Sequence, residues 1–91
     1  MPHSPEEKKR VLARVRRMRG QVEALERALE AGANCAPVLQ QIAALRGAAN
    51  GLMSEVLESH LREQFGQPAR TAAERNERIS EMTALVRSYL K

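Results

Sequence analysis

The sequence predicts an all-α protein: a three-helix protomer, paired as an antiparallel four-helix-bundle dimer that pairs again into a dimer of dimers. Three observations carry this expectation. Apolar residues recur at alternating steps of four and three along two long segments. Helix-opening signals of the Ser-Pro and Thr-x-x-Glu kind precede the helical segments, and Gly-, Asn- and Pro-containing breaks close the first two. The second segment is also apolar on more faces than one neighbour can cover.

The first helix is expected over residues 5–31. "SPEEKK" supplies Ser4 as N-cap, Pro5 at the first helical position and Glu7 to complete a capping box. Val11, Val15, Met18, Val22, Leu25 and Leu29 then form a heptad-like seam, ended by Gly32 and Asn34. The second helix, expected over 36–65 from a start near Cys35–Pro37, repeats the pattern with Val38, Ile42, Leu45, Ala49, Leu52 and Val56. Leu39, Ala43, Ala44, Ala48, Met53, Leu57 and Leu61 make its other faces apolar too, until "FGQP" stops it. The third helix, expected over 72–90, opens with a second capping box, Thr71 to Glu74, and packs Ile79, Met82, Val86, Tyr89 and Leu90. A second helix of about 30 residues is roughly 45 Å long at 1.5 Å per residue, more than one 91-residue chain can cover. Self-association is the economical solution, and residues 1–91 are read as one domain of modest core. The small residues of "RGAANG" (Arg46–Gly51) lie at the middle of that helix. Two interior glycines cost about 1 kcal/mol each relative to Ala and suit a close helix crossing.

The net charge of +4 is segregated. Residues 1–20 hold seven basic and two acidic side chains, net +5, and the rest of the chain is net −1. Arg10, Arg14 and Arg17 form a stripe at i, i+4 and i+7, widened by Lys9, Arg16 and Arg19, and Arg46 and Lys91 extend the surface. Such a stripe points to a polyanion partner, nucleic acid or an acidic membrane surface; against a merely solvated helix face, seven basic residues in twelve positions favour nucleic acid. The helices are too long for a helix-turn-helix, so phosphate contacts and DNA shape are expected to outweigh base readout, with steep salt dependence. No apolar run approaches a membrane span and no signal peptide is seen, which fits a cytoplasmic protein without a membrane partner. No carboxylate pair, Ser/His/Asp set or Gly-rich loop appears, so the chain is not read as an enzyme.

The single cysteine, Cys35 in "EAGANCAPVL", makes no disulfide within one chain and is left as a small buried filler, a metal ligand or a nucleophile. It stands at a helix N-terminus, where unpaired N–H groups and the helix dipole favour negative charge. Within one hairpin it lies about 40 Å by helical rise from Pro2 and His3, and His60 lies far down the second helix. Between chains these residues can meet. The midpoint of Cys35 and His60 falls in the Gly47–Gly51 stretch, so a two-fold axis there sets Cys35 of one subunit beside His60, Pro2 and His3 of the other.

"CAPVLQQIAALRGAANGLMSEVLESHL", preceded by "VLARVRRMRGQVEALERAL", resembles the CsoR/RcnR-type bacterial repressors over almost the whole chain. The resemblance implies a helical homotetramer that binds double-stranded operator DNA, with G/C-rich tracts, and lets go when an effector reaches a Cys/His site between subunits. Copper sensors of this family use a Cys, a His and a second Cys four positions after the His. Nickel and cobalt sensors place a His at that later position and recruit an N-terminal His. The matching residues here are Cys35, His60 and Gln64, and Gln64 is neither thiolate nor imidazole. A residual metal reading holds cobalt, nickel or zinc on Cys35, His60 and His3; Glu63 points about 100° around the helix from position 64.

The sequence is most similar to the FrmR-like formaldehyde sensors, which carry proline at position 2 as "MPHSPEEKKR" does. The resemblance implies a repressor that needs no cofactor and takes formaldehyde as a covalent effector. Removal of Met1 leaves Pro2 as a secondary amine, which condenses with formaldehyde to an iminium, and the Cys35 sulfur of a neighbouring subunit adds to its carbon. His3, His60 and Gln64 are the expected neighbours of that bridge.

Overall fold

The computed structural model describes residues 4–89 as three α-helices, α1 (Pro5–Glu30), α2 (Cys35–Phe65) and α3 (Ala72–Tyr89), with no strand among the described residues. The expected boundaries agree to within one residue at each described end. Pro2, His3, Leu90 and Lys91 lie outside the described residues.

Local signals act as read. Ser4 is extended (φ −72°, ψ 149°) and its hydroxyl accepts the Glu7 backbone N–H at 3.1 Å, satisfying one of the donors a helix start leaves open. Pro5 follows where a missing N–H costs nothing. At the other end Gly32 takes φ +71° and closes a Schellman turn: its N–H reaches the Leu29 carbonyl at 3.1 Å, and the Ala33 N–H reaches Ala28 at 2.9 Å. Thr71 caps α3 by accepting the Glu74 N–H at 3.1 Å. The Glu74 carboxylate accepts from the Arg70 N–H at 3.2 Å and pairs with Arg78 at 2.7 Å. Arg78 also donates to the Gln67 carbonyl at 2.7 Å, so one guanidinium staples the α2–α3 connection. Just past the end of α2, position 66 requires glycine, because a Cβ there would collide with the Arg62 carbonyl oxygen.

The chain forms two compact units, Met1–Leu57 and Glu58–Lys91. In the first, α1 and α2 pair as a hairpin, and the half-buried stripes correct the expected seams. On α1 the stripe is Val11, Arg14, Met18, Gln21, Leu25 and Ala28; on α2 it is Val38, Gln41, Leu45, Ala48, Leu52 and Glu55. Val15, Val22, Leu29 and Ile42, expected in the seams, are 44–59% exposed. The reason is geometric. The apolar band on each helix is wider than one helix–helix contact, so the hairpin takes Val11, Met18 and Leu25 and leaves the flanking stripe of Val15, Val22 and Leu29 uncovered.

In the second unit, Met82 of α3 and Ser59 of α2 are the buried residues among those described. Met82 packs as expected, whereas Ile79, Val86 and Tyr89 are 49%, 43% and 60% exposed. The inward face of α3 is instead Glu74, Arg78, Met82 and Leu85, because Arg78 is drawn in by the connection it staples. Ile79 and Val86 join Leu61, Phe65 and Met82 along a shallow groove of about 410 Å³.

Candidate functional site

The basic residues of α1 divide into two kinds. Lys9, Arg16, Arg17 and Arg19 are exposed, as is Arg46 on α2, and among the described residues none of these five makes an ion pair. Arg10 and Arg14 are engaged. The Arg10 Nε–H donates to Glu55 Oε1 at 3.0 Å, and the Arg14 Nε–H donates to Oε2 at 2.5 Å, so one carboxylate joins two guanidiniums one turn apart. Glu55 is the less accessible partner, with its side chain 20% exposed against 57% for Arg10 and 42% for Arg14. The hydrogen bond from Arg10 first, and then that from Arg14, hold its carboxyl below the ordinary carboxylate range, against an opposing push from burial.

Gly51 makes this arrangement possible. A Cβ at that position would lie 2.8 Å from Arg14 Nη1, so the arginine crosses α2 over the space a side chain would fill. The glycine assigned from sequence to a crossing of two copies is thus occupied on this side by its own chain, whereas nothing lies within 4 Å of a Cβ on Gly47. Glu55 was missed by sequence reasoning, although a signal existed. A turn centred on Gly32–Ala33 pairs residues of the two helices whose numbers sum to about 66, setting Glu55 at the level of residues 10–14.

The expected effector residues are distributed along α2. Cys35 is its first residue, and its free thiol is exposed in the single chain. His60 lies in the second unit and is half-buried, with Nε2 3.3 Å from Glu81 Oε1 and Nδ1 3.9 Å from Glu63 Oε2. Gln64 follows one turn later, also half-buried. Two carboxylates flank the one imidazole and fix the ring's orientation. Glu63 was weighed from sequence as an oxygen donor and set aside for its direction, whereas Glu81 was not considered; it is brought there by the pairing of α3 with the end of α2. Among the described residues no group of three His, Cys, Asp or Glu side chains is set to hold a metal ion within the chain. No helix is long and apolar enough to cross a membrane among them.

The hairpin presents Lys9, Arg16, Arg17 and Arg19 to solvent on its first helix, an arrangement suited to a polyanion. The profile of the metal-sensitive transcriptional repressors matches residues 7–88. The chain belongs to that family, the CsoR/RcnR type. Along all of both chains it is 42% identical to the transcriptional repressor RcnR of Salmonella paratyphi B (strain ATCC BAA-1250 / SPB7). It is 53% identical, again over all of both, to an uncharacterized protein encoded in the bioA 5′ region of Serratia marcescens. Among solved structures it resembles a variant of the formaldehyde-responsive regulator FrmR from Salmonella enterica serovar Typhimurium, with 59% identity and a TM-score of 0.82. That match covers 97% of this chain and 99% of the other.

Proposed function

We propose that the protein is a cytoplasmic, formaldehyde-responsive repressor that holds operator DNA as a homotetramer and releases it when Pro2 and Cys35 of neighbouring subunits are bridged. The observation that carries the reading is the residue set: an exposed thiol at Cys35, a half-buried His60, and Gln64 where a metal site of this pattern needs a further thiolate or imidazole. Likeness to FrmR over nearly the whole chain supports it. The chemistry balances. With Met1 removed, the Pro2 amine and formaldehyde lose hydroxide to give an iminium; the Cys35 sulfur adds to its carbon and gives up its proton. One water leaves and one carbon stays as N–CH2–S. No turnover is required.

The exposed stripe of Val15, Val22 and Leu29, with Leu39 and Ile42, supports self-association, because a second copy covers apolar surface that the hairpin leaves wet. A bridge at the start of the basic helix shifts the spacing of its arginines against the phosphates. A coupling of about 1–3 kcal/mol between effector and DNA would weaken binding roughly 5- to 150-fold.

Intact mass spectrometry before and after mild formaldehyde treatment tests the reading. The expected result is loss of Met1 and then a gain of one carbon's mass per chain, carried in covalently linked chains and absent from Cys35→Ala. Cys35→Ala should still bind DNA and ignore formaldehyde. Release of DNA from that variant by formaldehyde would rule out the thiol bridge.

The likeness to RcnR favours a second reading, in which nickel, cobalt or zinc is the effector. Thiolate and imidazole suit these ions, and Cys35, His60 and His3 would hold one, with Glu81 orienting the His60 ring. Titration of DNA-bound protein with cobalt or nickel separates the two: release by metal in the absence of aldehyde supports the metal reading.

A further inference from the structure

Glu55 stands out as an acid placed against the positive stripe. It lies on α2, and its two carboxylate oxygens are divided between Arg10 and Arg14 at 3.0 and 2.5 Å. Both contacts use Nε. An arginine held through Nε keeps its terminal amino groups for another acceptor, since the guanidinium carries five donors in a rigid plane. Arg10 and Arg14 remain 57% and 42% exposed while so held, so they are tethered without being buried. Arg16, Arg17 and Arg19 have no such tether and lose more side-chain freedom on meeting a phosphate.

From this we infer that Glu55 is a positioning residue for DNA recognition: through Nε it sets Arg10 and Arg14 as a fixed pair, whose outer amino groups clasp phosphates at one particular spacing. The inference rests on the DNA-binding reading above and deepens it. Two effects oppose each other at this site. The carboxylate's charge weakens attraction for any polyanion. Its grip lowers the ordering cost for a duplex whose phosphates match the fixed pair. Glu55 therefore acts on discrimination between duplexes more than on attraction to DNA as such, in keeping with recognition by groove shape.

Gly51 belongs to the same device. Gly51→Ala introduces a methyl 2.8 Å from Arg14 Nη1, which the flexible guanidinium escapes by leaving its seat. The substitution changes no charge and favours the helix. It disturbs the positioning while leaving the electrostatics and the fold in place.

The test compares the whole protein with Glu55→Gln and Gly51→Ala on two short duplexes, one with a G·C tract and one of mixed sequence, at fixed salt. Wild type is expected to prefer the G·C tract. Glu55→Gln is expected to bind the mixed duplex more tightly and to lose preference by about tenfold, the cost of ordering two freed arginines. Gly51→Ala should lose preference without a general gain, and both variants should keep wild-type helicity by circular dichroism. In the DNA complex, the Nε–H resonances of Arg10 and Arg14 should keep the shifts they have in free wild-type protein. Affinities for both duplexes rising by one factor in Glu55→Gln would overturn the proposal, because Glu55 would then be only a competing charge. Nε–H shifts moving to their Glu55→Gln values on DNA binding would overturn it as well. Wild-type protein binding neither duplex would remove the DNA reading itself, and this proposal with it.

Discussion

Substituting Ala for single glycines separates the proposed assembly from the properties of one chain. Gly20 and Gly47 are both helix-interior glycines, and a Cβ on either meets nothing within 4 Å in the protomer. In an isolated chain each change should stabilise by about 0.5–1 kcal/mol, since Gly loses more backbone entropy on folding than Ala. For a chain of this size that is a rise of roughly 2–8 °C in melting temperature. If two copies of α2 cross at Gly47, the same methyl pushes backbones apart and costs about 1–3 kcal/mol of overpacking at the interface. Gly20→Ala should therefore raise the melting temperature with no change in association. Gly47→Ala should weaken association in sedimentation velocity and lower the melting temperature at equal protein concentration, on which an oligomer's melting depends. Gly32→Ala calibrates the scale. At φ +71° a Cβ is disfavoured by roughly 1–2 kcal/mol, so that variant should melt lower through the hairpin turn alone. An unchanged oligomer and a Gly20-like rise for Gly47→Ala would refute the crossing at the middle of α2.

Other outcomes follow from single residues. Ser4→Ala removes the oxygen that accepts the Glu7 N–H and should cost about 1 kcal/mol, lowering the melting temperature by roughly 4–8 °C; no change would mean that the basic helix frays at its start. Glu55 has a carboxyl whose folded pKa is depressed below its ordinary value of 4.5, so its contribution to stability is complete above that value and is lost as pH falls through the folded one. The stability advantage of wild type over Glu55→Gln should shrink as melts are taken from about pH 6 into that acid range, and a difference independent of pH would contradict the ion-paired geometry. Arg17→Ala should weaken DNA binding and flatten the plot of log affinity against log salt by about 0.9 for each phosphate that the variant no longer neutralises. An unchanged slope would take Arg17 off the DNA face.

Helix starts, helix ends and the basic helix were legible from residue order because they depend on neighbours in the chain. Ser4 caps through a residue three positions on, Gly32 turns left because no Cβ forbids it, and the charge excess of residues 1–20 is a matter of composition. Heptad spacing also made the helices certain, yet it did not say which half of a broad apolar band the hairpin takes. Val11, Met18 and Leu25 are chosen over Val15, Val22 and Leu29 by how α2 lies against α1, and that rotation is not written in either helix alone. On α3 the same uncertainty put Ile79 and Val86 inside, where Arg78 and Leu85 are found; a long-range bond from Arg78 to Gln67 decides it.

The candidate site divides in the same way. Cys35 was legible as a residue without an intrachain partner at a helix start, and His60 and Gln64 by their spacing. Glu55 and Glu81 were not, because each gains its meaning from a partner 21 to 45 residues away. Local order determines which segments coil and where charge collects, since capping and propensity act over a few residues. Tertiary structure alone decides that one carboxylate holds Arg10 and Arg14 across a glycine, since only the folded hairpin brings α1 and α2 within hydrogen-bond reach.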